Sequence, residues 1–234
     1  MEIKLFTIAM MVAFIMTAMT KVQAQNFEGP CLPSMHGLDD HQSAFCGSIL
    51  TQTIALSAGW NWISLYVEVE DPIEMLQQLE TALGDNATFI NASEMFTEYL
   101  GDGLWIGDLD DEGLTNEQMY MIEAVTDCEI QLEGTPADPA NYTIDINPGW
   151  NWIGFPSTQE LSVEQALADF VAEDEDQLAN GDIFSEYYGM WIGDVETLVP
   201  GQGYMYYSNS TQPKTLIFST TSNGKSVFLR KQKE

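Results

Sequence analysis

Asp108, Asp110 and Glu112 alternate ahead of Gly113, and this is the stretch of the 234-residue chain best suited to holding a metal ion. Oxygen side chains so spaced, with a glycine after them, open a calcium-binding loop of the EF-hand kind. The loop is incomplete, because Met119 stands where that motif needs its closing acid. Calcium at Asp108, Asp110 and Glu112 therefore competes with a solvated acidic loop, and it is the one cofactor the sequence offers a place for. A second set of ligand-type side chains lies near the N-terminus, where Cys31, His36, His41 and Cys46 bracket Asp39 and Asp40. Their spacing fits no zinc pattern. A Cys31–Cys46 disulfide, formed in an oxidising compartment, is the expectation. Cys128 is then the odd thiol.

The aromatic residues offer recognition rather than reaction. Trp60 and Trp62 alternate along an expected strand and share a face, as do Trp150 and Trp152. An exposed platform of that kind stacks on sugar rings. Asn61, Glu98, Tyr99, Trp105 and Asp108 would complete it, with Asn151, Glu186, Tyr187, Trp191 and Asp194 as the second set. The competing expectation is that these rings fill the core of small modules, leaving one tryptophan per module half exposed. Catalysis has less to work with. Both histidines, His36 and His41, precede residue 49, and Lys214 is the only Lys or Arg from residue 49 to 220. Histidine bases, lysine Schiff bases and arginine clamps on phosphate are thereby set aside. Glu98 and Glu186 leave a cryptic glycoside hydrolase as a remote alternative, with one acid per module where such chemistry needs two. The expectation is a non-enzymatic binding protein.

The elements that must position these residues come in two sets. Gly59-Trp60-Asn61-Trp62-Ile63 returns as Gly149-Trp150-Asn151-Trp152-Ile153. Phe96-Thr-Glu98-Tyr99 and Trp105-Ile-Gly-Asp108 return as Phe184-Ser-Glu186-Tyr187 and Trp191-Ile-Gly-Asp194. Gln118-Met-Tyr120-Met121 returns as Gln202-Gly-Tyr204-Met205, so all six tryptophans occupy matched places. A repeat of this length points to an internal duplication. The expected organisation is a signal peptide (1–24), a Cys-containing segment (25–48), a first module (49–139), a second module (140–220) and a basic tail (221–234).

Within each module the pattern predicts an α+β fold of roughly β-β-α-β-β-β, the two modules packing against each other. Thr51–Leu56 and Trp60–Val67 read as strands about a turn at Ser57-Ala58-Gly59. Asp71-Pro72 opens a helix carrying Ile73, Leu76, Leu79 and Leu83, which Gly84 ends. Its counterpart starts at Ser162 with Gln165 as a capping box, and runs through Val163, Ala166, Leu167, Phe170 and Val171. Short strands follow around Phe89–Ile90, Phe96–Tyr99, Trp105–Ile106 and Met119–Ile122, matched by Ile183–Tyr188, Met190–Ile192 and Gly203–Tyr207. Glu133 to Pro139 reads as a turn-rich linker.

Taken together, the Gly-Trp-Asn-Trp-Ile, Phe-x-Glu-Tyr, Trp-Ile-Gly-Asp and Pro200-Gly-x-Gly-Tyr204-Met-Tyr206 motifs resemble a tandem repeat module of secreted and cell-surface proteins from Bacteroidetes-type bacteria. The resemblance covers about residues 50–220. It implies export and an adhesion-like or surface-assembly role, and it supplies no catalytic residues. The first module departs from it, with Asn116-Glu117-Gln118-Met119 in place of Pro-Gly-x-Gly.

Charge and leader fit such a role. Lys4, the apolar run Leu5–Thr20 and the small-residue site Val22-Gln23-Ala24 read as a secretory signal peptide. The run is shorter than the ~20 residues a spanning helix needs, so no membrane span is expected after cleavage. The chain is then secreted or at the cell surface, with the periplasm as the other destination. It carries 36 acidic and 7 basic side chains, a net charge of −29. A body so acidic repels phosphate backbones, which excludes nucleic acid and leaves a surface protein or a polysaccharide as partner.

Overall fold

The computed structural model describes the backbone of residues 22–26 and the whole of residues 48–219. It is β-rich, with several sheets and few helices. The first half runs β1 (Val22–Asn26), β2 (Leu50–Leu56), β3 (Gly59–Ile63), β4 (Val67–Glu68), α1 (Pro72–Leu83), β5 (Ala87–Ala92), β6 (Met95–Tyr99), β7 (Trp105–Gly107), α2 (Leu109–Glu112), β8 (Tyr120–Ala124) and β9 (Cys128–Pro136). The second runs β10 (Ile144–Ile146), β11 (Gly149–Ile153), β12 (Leu161–Ser162), α3 (Val163–Ala166), β13 (Gln177–Asn180), β14 (Ile183–Tyr187), β15 (Trp191–Gly193), β16 (Thr197–Leu198), β17 (Tyr204–Ser208) and β18 (Lys214–Leu216).

Each half contains a five-stranded antiparallel sheet, and the strand orders correspond: β3-β8-β5-β6-β7 and β11-β17-β13-β14-β15. The inner face of the first sheet covers a core running from Leu50 to Leu132, and that of the second a separate core running from Ile144 to Phe218. α1 forms where the local signals are strongest. The Asp71 carboxylate accepts from the Ile73 N–H at 3.0 Å, Pro72 occupies the first turn, and Met75, Leu76, Leu79 and Leu83 bury one stripe. Met75 takes the core place that spacing assigned to Ile73, which is only half-buried.

The repeated residues do matched jobs. Asn61 Oδ1 accepts from the Ser57 N–H at 2.9 Å, while its amide donates to the carbonyls of Ser57 and Gly59. Asn151 makes the same set with Asn147 and Gly149. The Tyr120 hydroxyl accepts from Thr115 N–H at 2.6 Å, and the Tyr204 hydroxyl from Val199 N–H at 2.7 Å. The junction between the halves is matched too. Ser64 N–H donates to the Gly201 carbonyl at 2.9 Å, and Gly154 N–H to the Glu117 carbonyl at 2.8 Å. Ser64 occupies in the first sequence copy the place of Gly154 in the second, and Glu117 that of Gly201. The contact is therefore reciprocal, like the isologous interface of a two-fold dimer. It is also tight: a Cβ on Gly154 would lie 2.3 Å from the Asn116 carbonyl oxygen, and one on Gly203 2.7 Å from that of Ile63.

Three expectations need correction. Glu133–Pro136 is not linker but the end of β9, which pairs with β2 along its length and with β4 at Thr135 and Pro136. β13 was also not foreseen; it fills the centre of the second sheet. The second helix stops at Ala166, because the Ala166 carbonyl accepts from Ser219 N–H at 2.9 Å instead of continuing the helix, and Val171 is left in solvent. The leader to residue 21, the Cys31–Cys46 pair with His36 and His41, and the tail from residue 221 lie outside the described residues. β1 spans the expected cleavage point, so cleavage after Ala24 would leave Gln25 and Asn26 beside β2. No helix among the described residues is long and apolar enough to cross a membrane.

Candidate functional site

Strand alternation separates the aromatic residues into two populations. Tyr99 and Trp105 stand opposite each other on β6 and β7, facing inward with ring centroids 5.1 Å apart, and Trp105 is only 7% exposed. Tyr187 and Trp191 repeat the arrangement at 5.3 Å, with Trp191 against the second core. These four leave the proposed platform and join the packing. Asn61 and Asn151 leave it as well, since both ends of each amide are committed to a turn.

What remains on the outer faces is Trp60 and Trp62 on β3, and Trp150 and Trp152 on β11. The faces differ in character. On the first, Trp60 meets Phe89 edge-on at 6.1 Å and Phe89 stacks on Phe96 at 5.1 Å, so the rings cover one another. On the second, Trp150 is 42% exposed and meets only Tyr207, edge-on at 5.2 Å. Register then carries the row from Tyr207 to Gln177 and on to Glu186. These four residues, with Glu175 and Asn209, line an open groove of about 310 Å³. Phe184, Met190 and Ile192 stand exposed beside it on the same half.

The groove has a defined polarity. Gln177 Nε2 donates to Glu186 Oε1 at 3.5 Å, and Asn209 Nδ2 donates to Glu175 Oε2 at 3.4 Å and to the Asp174 carbonyl at 3.2 Å. The Tyr188 hydroxyl also donates to Glu186, and that bond pushes its pKa up. Beneath the groove, buried Asp176 accepts from the N–H groups of Glu173 and Asn209 and from the Tyr206 hydroxyl at 2.5 Å. Burial, and then that carboxylate, push the Tyr206 pKa well above the ordinary phenol range. Lys214 is the only cation among the described residues, and it is spent here. It pairs with Glu173 at 2.9 Å and lies 3.8 Å from Asp176, with the Val171 carbonyl at 3.1 Å. Its charge holds the Glu173 carboxyl below the usual range.

The calcium candidate takes a different form. Leu109–Glu112 is the helical turn α2 rather than a loop, so Asp108, Asp110 and Glu112 fan around an axis instead of converging. Asp110 instead accepts from the Thr97 hydroxyl and the Gly107 N–H, each at 3.2 Å. Among the described residues no three His, Cys, Asp or Glu side chains gather at metal-holding distance. A second cleft, of about 580 Å³, lies between β4, β9 and α1; Glu68, Glu70, Glu74 and Glu133 line it, and no aromatic side chain does.

Of the groove residues, sequence reasoning reached Trp150 and Glu186 and missed Tyr207, Gln177, Glu175 and Asn209. The available signal was difference between the copies, not likeness. Tyr207, Gln177 and Asn209 occupy places held in the first sheet by Glu123, Phe89 and Val125. No family model, no curated protein and no solved structure matches this chain.

Proposed function

We propose that this chain is an exported, non-enzymatic binding protein of the cell surface or periplasm, built from two tandem copies of one module, and that it serves adhesion or surface assembly. The observation that carries the reading is the outer face of the second sheet, where Trp150, Phe184, Met190 and Ile192 stand in solvent around an open groove. Large apolar side chains gathered on one exposed face mark an interaction surface more often than a solvated one. The corresponding strand orders and the matched hydrogen bonds of Asn61/Asn151 and Tyr120/Tyr204 support the tandem organisation. The signal-type leader supports export.

Carbohydrate binding is the second reading, favoured by the placement of Trp150 and Tyr207 beside amide and carboxylate groups. Hydrolysis fits less well. A glycosidase needs one carboxyl held as an acid by its surroundings, whereas Glu175 is exposed and Glu186 only half-buried.

Co-sedimentation of the mature chain with cell envelopes tests the proposal. Retention should be lost in Trp150→Ala/Phe184→Ser with the circular dichroism spectrum unchanged. Equal retention of both proteins, or of neither, contradicts it.

A further inference from the structure

The chemistry of the groove narrows what it holds, and the inference rests on the binding role proposed above. Its polar groups face solvent chiefly as acceptors. Asn209 spends its amide on Glu175 and the Asp174 carbonyl, and Gln177 turns its amide toward Glu186. Two carboxylates therefore line the groove with amide and hydroxyl donors but no cation against them. Lys214, the one positive charge among the described residues, is already held by Glu173, Asp176 and the Val171 carbonyl. A sugar hydroxyl asks for donors and acceptors in turn. A guanidinium or ammonium group brings donors only, and the surrounding charge of −29 attracts it. The faces of Trp150 and Tyr207 add attraction for a cation and reject an anion.

We infer that the groove formed by Trp150, Tyr207, Glu175 and Glu186 is a binding site for a guanidinium or ammonium group carried on a polypeptide. The first sheet has no equivalent. Glu123, Phe89 and Val125 stand where Tyr207, Gln177 and Asn209 stand in the second, and Phe89 and Phe96 stack over that face. The site is single, on the second sheet. Two sources could supply the cation: a basic segment of a partner, or the chain's own terminal stretch, where Lys225, Arg230, Lys231 and Lys233 flank Val227-Phe228-Leu229.

Titration of the full mature chain with arginine amide, followed by calorimetry and by the indole N–H signals, tests this; cellohexaose is the sugar probe. The expected result is binding in the millimolar range that shifts the Trp150 indole. It weakens at least about fivefold in Glu186→Gln and again in Trp150→Ala, as loss of a charge pair or a cation–π contact requires. Glu175→Gln is the companion variant, because its side chain is exposed and its loss leaves the fold intact. A chain with Lys225, Arg230, Lys231 and Lys233 all changed to Gln separates the sources. Tighter binding of arginine amide by that chain assigns the groove to its own tail, and unchanged binding assigns it to a partner.

Three outcomes overturn the inference. Cellohexaose bound at the Trp150 indole with arginine amide silent makes the groove a sugar site and leaves the general binding role standing. Arginine amide bound equally by wild type, Glu186→Gln and Glu175→Gln reduces the effect to diffuse charge. Silence of the tail-neutral chain toward both probes removes the groove as a site.

Discussion

Two carboxylates show how little the acid count says about any single acid. Asp176 is fully buried, yet it accepts three hydrogen bonds and lies within 4 Å of Lys214. Asp176→Ala should cost about 2–4 kcal/mol in chemical denaturation, because it strands a phenol and two N–H groups in the interior. Glu80 is the opposite case. Its Oε1 is buried without a partner, and burial, with the charge of Asp110 adding to it, raises its pKa from 4.5 to about 7. A folded-state pKa above the unfolded one means that the native state holds the extra proton between those values. The stabilisation is then complete below about pH 4.5 and is lost as pH rises through 7. Glu80→Gln should match wild type near pH 4.5 and melt above it at pH 8, by roughly 1 kcal/mol after allowance for solvent screening. Asn61 teaches the same lesson about reading. Its place opposite the tryptophans on β3 already put it on the core side. A polar side chain there must find partners at once, which is why it closes a turn and does not meet a ligand.

Among elements, legibility followed the range of the interactions that decide them. α1 was readable because Asp71, Pro72 and the apolar stripe act within a few residues of one another. The capping box of Ser162 and Gln165 was readable for the same reason. β9 was not: its last residues, Glu133-Gly-Thr-Pro136, are turn formers locally, and only pairing with β2 and β4 keeps them extended. The early end of α3 likewise depends on Ser219, far along the chain. The junction shows what the glycines of the second copy are for. Gly154 and Gly203 approach the opposite half so closely that a methyl group would overlap backbone atoms. Gly154→Ala and Gly203→Ala should each lower stability by about 1–3 kcal/mol, the range for overpacking. Gly181→Ala is the control: a Cβ there meets no neighbour, so only its φ of +59° opposes the change. A loss at the junction no larger than the control's would mean that the halves are not held as described.

At the scale of the molecule, charge and aromatic surface act together. All of the 36 acids except Glu2, Glu28, Asp39, Asp40 and Glu234 lie from residue 48 to residue 219, with Lys214 as the only Lys or Arg. Such a body repels itself, so its melting temperature at pH 7 should climb as sodium chloride rises from about 0.01 to 0.5 M, where the screening length falls several-fold. A flat profile would mean that the charges are neutralised within the fold. The matched motifs meanwhile serve mostly to specify two similar sheets. Recognition is left to residues that the copies do not share, which is why a search for repeated site residues recovered only part of the groove. The central claim is that the outer face of the second sheet meets the ligand while the inner aromatic residues hold the fold. Six tryptophans give six indole N–H signals, and following them as soluble envelope fragments are added tests the claim most directly. The account predicts that Trp150 shifts and that Trp105 and Trp191 stay in place. Movement of Trp105 or Trp191 with Trp150 unmoved would contradict it.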